Sequence, residues 1–461
     1  MYMNDTIAAI STAPGIGGIG IIRVSGKDAV TIVDKIFKSP KGKKLSNVKS
    51  HTIHYGHIVK VGTSQNIDEV LVSVMREPHT FTKEDIVEIN CHGGIVSTRN
   101  VLEQVLNAGA RLADPGEFTK RAFLNGRIDL VQAEAIIDII NSKTNIGLES
   151  AMDQLDGSLS GKIFDIRKKL INIAAHLQAA VDFPEDDIDE LSEDKLIESL
   201  NLVLQEINHL IETADMGKII REGLSTVIVG KPNAGKSSLL NALVRENRAI
   251  VTEIPGTTRD VIEEYINIKG VPLKVVDTAG IRETDDIVER IGVEKSKEFI
   301  NKADLIILIL DGSEELNEND KNIIKLVLDK KVIVLINKVD LETKIEYNYI
   351  QDLFKEHPII NISVKTGTGL EDLENTIKDM FFGGKISIKE DVIVTNVRHK
   401  DSLIKARQSL NEAINAIEIG MPVDMVSIDI KNAIESLGEI VGLTVSEEIV
   451  DQIFREFCLG K

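Results

Sequence analysis

The run Gly230-Lys231-Pro232-Asn233-Ala234-Gly235-Lys236-Ser237 lies between an apolar segment, 224–229, and an amphipathic one that opens Ser238-Leu239-Leu240-Asn241-Ala242-Leu243. Residues of these types in this order can cradle phosphate. Gly230 and Gly235 let the backbone wrap closely, so that successive N–H groups and the positive end of a helix converge on an anion. Lys236 adds a point charge within reach of β- and γ-phosphates, and the Ser237 hydroxyl suits a magnesium ion. The loop is therefore read as a nucleotide phosphate site formed by Asn233, Ala234, Gly235, Lys236, Ser237 and Ser238.

A second group of residues selects the base. Asn337-Lys338-Val339-Asp340 follows another apolar run. The Asp340 carboxylate can accept from the N1–H and the exocyclic amino group of guanine, whereas adenine would leave it unpaired. Ser363-Val364-Lys365 follows the next run and can close over the same base. The expected nucleotide is GTP.

Asp277-Thr278-Ala279-Gly280 matches the Asp-x-x-Gly that holds the magnesium shell and senses the γ-phosphate, and Gly256-Thr257-Thr258-Arg259-Asp260 supplies Thr258 as a second magnesium ligand. In this order the motifs read as a GTPase of the translation-factor class. The residue after Asp-x-x-Gly is Ile281, where small GTPases carry a glutamine that orients the attacking water. An isoleucine side chain neither donates nor accepts a hydrogen bond, so another group must do this work. The acidic stretch Glu283-Thr284-Asp285-Asp286-Ile287-Val288-Glu289-Arg290 offers carboxylates just downstream.

These loops need elements to hold them. Short apolar runs near 224–229, 273–276, 305–310, 332–336 and 359–362 suit a parallel sheet in a doubly wound α/β domain. Before them, 18–25, 51–61, 70–76 and 85–90 read as strands and 98–107 as a helix, which predicts an α+β domain. Helical periodicity runs through 130–142, 163–181 and 193–214 and returns beyond Gly383-Gly384, where Leu403, Leu410, Ile414 and Ile417 share one face. That face needs a partner on the other side of the nucleotide domain. The predicted class is multidomain: an α+β N-terminal domain (1–118), and an all-α helical domain (119–217 and 383–461) interrupted by an inserted α/β P-loop, Ras-like GTPase domain (218–382).

Composition sets outer bounds. The chain has 461 residues, which favours several domains over a single core. Two cysteines, Cys91 and Cys458, exclude a disulfide framework. Neither a signal-peptide n-region nor an apolar run long enough for a membrane span is present, so a cytoplasmic protein without a membrane is expected. The net charge of −19 argues against strong unaided nucleic-acid binding, and DNA is not an expected partner. The lysines from Lys38 to Lys44 form the main basic cluster near the N-terminus and read first as a solvated loop.

The whole chain resembles one family, the tRNA uridine-5-carboxymethylaminomethyl modification GTPases called MnmE or TrmE. The resemblance rests on Pro14-Gly15-Ile16-Gly17-Gly18-Ile19-Gly20-Ile21-Ile22-Arg23, on Pro115-Gly116-Glu117-Phe118 with Arg121-Ala122-Phe123-Leu124-Asn125-Gly126-Arg127-Ile128-Asp129-Leu130, on the inserted GTPase, and on Phe454-Arg455-Glu456-Phe457-Cys458-Leu459-Gly460-Lys461. It implies that the N-terminal domain binds 5-formyl- or 5,10-methylene-tetrahydrofolate and forms a homodimer. By position, Arg23, Glu88, Arg127 and the terminal Lys461 would contact folate; Arg127 stands where some relatives carry lysine. It also implies potassium-dependent dimerisation of the GTPase domain, with Asn233, Thr252, Ile254 and Thr257 around the ion and Glu289 as the catalytic carboxylate beside Lys236. The expected function is GTP-driven installation of a carboxymethylaminomethyl or aminomethyl group at C5 of the wobble uridine of certain tRNAs. A flavin- and NADH-using partner resembling MnmG would complete a heterotetramer or larger complex. Two alternatives share some of these features: a ribosome-assembly or translation-associated GTPase switch, and a GTP-regulated, folate-dependent one-carbon transferase.

Overall fold

Val70, Val72 and Val74 alternate with exposed Leu71 and half-buried Ser73, the period of a strand with one covered face. In the computed structural model these valines line the covered face of a seven-stranded sheet. The structure describes residues 5–63, 65–182, 193–247, 264–276, 299–382 and 392–461. The chain forms two compact units, Met1–Ile137 with Gly438–Lys461, and Asp138–Leu437.

In the first unit the strands are β1 (Ile7–Ile10), β2 (Ile19–Ser25), β3 (Phe37–Lys38), β4 (Thr52–Val59), β5 (Asn66–Met75), β6 (Ile86–His92) and β7 (Arg111–Leu112). Their order is β3-β4-β5-β6-β2-β1-β7, antiparallel except where β7 joins β1. Helix α1 (Ala29–Ile36) spaces Ala29, Ile32, Val33 and Ile36 along one stripe, and α2 (Ile95–Asn107) does so with Val101 and Val105; both stripes join the valines of β5 in one core. The short β1, β3, β7 and the helix α1 are absent from the sequence reading. Strands of two to four residues carry too little period to announce themselves and are fixed by pairing.

Ile7 and Ala9 point to the other face, where they pack on Phe118 of α3 (Glu117–Leu124). Here the C-terminal end of the chain returns. Phe454 of the last helix lies 6.2 Å from Phe123 and 5.2 Å from Phe457, over Leu130 and Ala133. Gly116 takes a left-handed φ of 69° beneath it, and a Cβ there would stand 2.4 Å from the Phe454 carbonyl oxygen.

Helix α4 (Leu130–Asn141) begins in the first unit, and the second unit combines further helices with the second sheet. Helix α5 is Asn145–Leu155, α6 Ser158–Asp182 and α7 Glu193–Glu222; the last continues beyond the expected end near 214. Leu196, Leu200, Val203, Ile207 and Leu210 step by four and three along α7 and are buried. Leu403, Leu410, Ile414 and Ile417 are likewise buried on a helix, Val397–Glu418, that packs against α7. The segment leading into that helix is locked to the first helical stretch: Gln154 donates to the Ile393 carbonyl (3.1 Å) and the Thr395 hydroxyl (2.9 Å), and Val394 N–H donates to Thr213 Oγ1 (3.1 Å). Within the second unit, α7 and the helix Val397–Glu418 are thus packed together from either side of the GTPase segment.

The inserted sheet contains β8 (Leu224–Val229), β9 (Glu264–Ile268), β10 (Val271–Val275), β11 (Leu305–Asp311), β12 (Val332–Asn337) and β13 (Ile359–Asn361). Its order is β13-β12-β11-β8-β10-β9. Five strands run parallel, and their apolar runs are buried on both faces. β9 corrects the all-parallel expectation. It pairs antiparallel with β10 through Lys269-Gly270, both at positive φ (47° and 97°), the two-residue turn that matches strand twist.

Candidate functional site

In the second unit, β10 lies on one side of β8 and β11 on the other, so the chain reverses its direction of travel across the sheet at β8. Ligands of open α/β sheets bind at the carboxyl ends of strands at such a point. The loop Gly230–Ser237 leaves β8 there and enters α8 (Lys236–Asn247). Gly230 touches β11: a Cβ would stand 2.4 Å from the Ile309 carbonyl oxygen. Gly235, at φ 109°, leaves room for a side chain from β12, since a Cβ there would meet Asn337 Nδ2 at 2.3 Å. Asn233 is exposed and adopts φ 64°, a conformation that asparagine tolerates better than most residues.

Lys236 Nζ donates to two carbonyls of its own loop, Gly230 (2.7 Å) and Lys231 (2.9 Å). Burial pulls its pKa below the ordinary lysine range. A half-buried ammonium held only by neutral carbonyls is well suited to an anionic partner.

Asn337, 3% exposed, joins this loop to the base-selecting one. Its Nδ2 donates to the Ala234 carbonyl at 2.8 Å, and its Oδ1 accepts from Val364 N–H at 3.2 Å. Ser363 donates to Asp340 Oδ1 at 2.7 Å, leaving the exposed carboxylate oriented with a second oxygen available. Lys365 is exposed beside it. Thus the predicted Ala234, Gly235, Lys236, Ser237, Ser238, Asn337, Lys338, Asp340, Ser363, Val364 and Lys365 converge at one end of the sheet. Thr252, Ile254, Thr257, Thr258, Asp277, Thr278, Ala279, Gly280, Ile281 and Glu289 lie outside the described residues.

Two supports went unnoticed in the sequence. Asp311, at the end of β11, accepts from Lys338 Nζ at 2.5 Å and from Ser313. Burial works to raise its pKa, but those hydrogen bonds outweigh it and hold the carboxyl below its usual range. Lys231 is 7% exposed and pairs with Glu314 (2.8 Å) and Asp320 (3.4 Å), which fixes the start of the phosphate loop. Asp311-Gly312-Ser313 after an apolar strand is the only sequence sign of the first support.

The first unit gathers another set. Arg23 on β2 faces its register partner Glu88 on β6, and Nε donates to Oε1 at 2.9 Å. The guanidinium lies 5.7 Å from the ring centres of both Phe81 and Phe118. Arg127 stacks on Phe81 at 4.8 Å. The C-terminus arrives at the same place: the Gly460 carbonyl accepts from Ser11 Oγ (3.0 Å) and Arg23 Nη1 (3.5 Å), and Gly460, at φ 91°, fits where a Cβ would come 2.3 Å from the Ile10 carbonyl oxygen. Lys461 follows directly. Arg23 and Arg127, distant in sequence, are brought together on the ring of Phe81, with Glu88 paired to Arg23 and Lys461 next to the Gly460 that Arg23 holds; Phe81 had no sequence signal because a lone aromatic carries no pattern. Two arginines, a carboxylate and an aromatic face can recognise a planar ring and an anionic tail.

The cysteines stand apart from this chemistry. Burial first, and then the charge of Asp68, push the Cys91 thiol up to about 11, and Cys458 is an exposed free thiol.

Strand order, phosphate loop and guanine-selecting loop together define a P-loop GTP-binding protein of Ras-like fold inserted in a helical scaffold. Family comparison is more specific. The sequence model described as the MnmE helical domain matches residues 130–458, more than half of the chain, and that of the GTP-binding protein TrmE N-terminus matches 6–127. The tRNA modification GTPase MnmE of Alkaliphilus oremlandii is 56% identical over 461 residues, covering all of both chains. Those of Thermoanaerobacter pseudethanolicus (99% of each chain) and Bacillus velezensis (99% of this chain, 100% of the other) are each 54% identical. The chain belongs to the MnmE family of tRNA modification GTPases.

Proposed function

We propose that this protein hydrolyses GTP to drive the conformational cycle of a complex that installs a carboxymethylaminomethyl or aminomethyl group at C5 of the wobble uridine of certain tRNAs. The observation that carries the reading is kinship with tRNA modification GTPases over the entire length, joined to a phosphate loop and a guanine loop locked together by Asn337. At Gly230 and Gly235 a Cβ would clash with the neighbouring strand or with Asn337, so glycine lets the loop lie close against the sheet with its backbone free to wrap a phosphate chain. Asn233 to Ser238 would hold the phosphates, and Asn337, Lys338, Asp340, Ser363, Val364 and Lys365 the guanine. Magnesium, held by Ser237 and Thr258 near Asp277, would neutralise charge developing on the phosphates.

Potassium is proposed at Asn233, Thr252, Ile254 and Thr257, where a cation would supply the charge an arginine finger supplies elsewhere. Glu289 is the proposed water-orienting carboxylate, since Ile281 cannot serve. The tetrahydrofolate site is proposed at Arg23, Glu88, Arg127 and Lys461. The Arg23–Glu88 pair and the Arg127–Phe81 stack suit the pterin and the glutamate tail. The remaining parts of the reading are a cytoplasmic homodimer, an MnmG-like flavoprotein partner that brings flavin and NADH, and domain bounds at 118, 217 and 382. Mass spectrometry of wobble uridines from a strain lacking the gene tests the function. The modified nucleosides should disappear; unchanged nucleosides would overturn the reading.

A further inference from the structure

Between Asp34 and Asp68 the sequence contains Lys35, Lys38, Lys41, Lys43, Lys44, Lys49 and Lys60, three histidines and no carboxylate, in a chain whose net charge is −19. Lys35 is engaged with the Ala108 carbonyl at 3.0 Å. The other six are exposed, and among the described residues none of them forms an ion pair. They border the open edge of the first sheet: Lys38 on β3 opposes His57 on β4, and Lys60 directly follows β4.

The segment between β3 and β4 is held rather than loose. Leu45 is buried in the core of the sheet. Asp34 accepts from the N–H groups of Leu45 (2.6 Å) and Ser46 (3.1 Å), which consumes the one nearby carboxylate on α1. Arg76 donates to the carbonyls of Leu45 (3.4 Å) and Ser46 (3.2 Å), and Thr52 Oγ1 donates to that of Lys49 (2.6 Å). At the other end, Asp68 is occupied by His92 and Ser97. The backbone is thus fixed while the lysine side chains project unpaired. Such an arrangement costs self-repulsion and adds nothing to the core, whereas it matches a polyanion with regularly spaced charges.

We propose that this edge, with Lys41, Lys43, Lys44 and Lys49 at its centre, is the surface on which the protein meets the phosphate backbone of its tRNA. The inference rests on the tRNA-modification reading and adds a location to it. In a molecule of net charge −19 a basic edge both attracts RNA and orients it, because phosphate is drawn to this face in preference to the acidic ones.

The test uses full-length protein and unfractionated tRNA, with affinity measured by fluorescence anisotropy across a salt series. Replacing Lys41, Lys43, Lys44 and Lys49 together by glutamine should weaken binding at low salt about tenfold or more, and should flatten log K against log salt by roughly 0.7 to 0.9 per lysine. The corresponding arginine variant should keep affinity and slope, and both should keep wild-type hydrogen-exchange protection of the β1 amides, which reports folding of the first unit, and the wild-type basal GTPase rate. Wild-type affinity and slope in the glutamine variant would overturn the proposal, as would absence of tRNA binding by the wild-type protein. Loss of polyglutamate binding with tRNA binding intact would also overturn it and assign the edge to an acidic protein. Unchanged wobble nucleosides in the deletion strain, with lysine-dependent tRNA binding, would instead remove the modification reading and leave the surface standing.

Discussion

Asn337 and Ala234 are joined by a hydrogen bond of 2.8 Å from the side-chain amide to the loop carbonyl, and this one contact ties the guanine loop to the phosphate loop. The Oδ1 of the same side chain accepts from Val364 N–H, so a single buried side chain sets the spacing between the two loops. On the proposed reading, base and phosphate recognition are therefore coupled through Asn337.

Asn337→Ala removes both bonds and strands a buried carbonyl, a loss of about 1–3 kcal/mol. GTP affinity, measured with a fluorescent analogue, should fall about tenfold to a hundredfold. Gly235→Ala should act in the same direction through its clash with Asn337.

Asp340→Asn exchanges an acceptor pair for one acceptor and one donor. Guanine should then be rejected by about a hundredfold, and xanthosine triphosphate, which presents N1–H beside a carbonyl, should gain correspondingly. Competition binding with the two nucleotides measures the exchange. Ser363→Ala, which frees the Asp340 carboxylate, should have a smaller effect of the same sign for GTP.

GTP turnover should be faster in potassium than in sodium chloride at equal ionic strength, and Glu289→Ala should lower the rate by at least tenfold with little change in GTP affinity. Equal rates in the two salts would remove the ion from the proposal, and normal hydrolysis by the variant would remove the carboxylate.

Phe81→Ala should weaken binding of 5-formyltetrahydrofolate by about 1–2 kcal/mol through lost stacking with Arg23 and Arg127. Arg23→Gln should cost at least as much, because it also leaves Glu88 without its partner. Titration calorimetry reads both, and basal GTPase activity should not change.

Arg121 is nearly buried among Asp5, Glu84 and Glu117. Burial raises the carboxyl pKa values of Asp5 and Glu117, but hydrogen bonds and charge from Arg111 and Arg121 overcome it, so both lie below their ordinary values. Depressed folded-state values give stability that is present above the unfolded carboxyl pKa, about 4, and lost as pH falls through the folded values. Melting temperature should therefore drop from pH 5 toward pH 3. Arg121→Met should destabilise the first unit by ~3 kcal/mol at neutral pH and flatten that drop. Hydrogen exchange of the β1 amides reports this unit separately.

Local pattern made the GTPase segment legible. A strand buried on both faces, a glycine loop and a helix must be contiguous to cradle phosphate, so the spacing of Gly230, Gly235 and Lys236 and the run Asn337 to Asp340 marked in the sequence the two loops that the structure places at one end of the sheet. Family resemblance through the terminal motifs gave the wider reading, which the full-length relatives bear out at the level of the family. The edge strand β9 escaped because an antiparallel hairpin depends on a two-residue turn whose Lys269 gave no glycine or asparagine signal.

What the sequence determined by itself was whatever is encoded over a few neighbouring residues: the glycine loop 230–237 between strand and helix, the run Asn337 to Asp340 after β12, and the helical face of Leu403 to Ile417. Only the tertiary structure decided the contacts between distant segments. It brought the C-terminal Gly460 to Arg23, set Arg127 and Arg23 on the same ring of Phe81, locked Thr395 to Gln154, and buried Asn337 against Ala234. The physical reason is that short-range periodicity specifies which face of an element is apolar, while the partner of that face is chosen by packing and by the need of every buried polar group for a hydrogen bond.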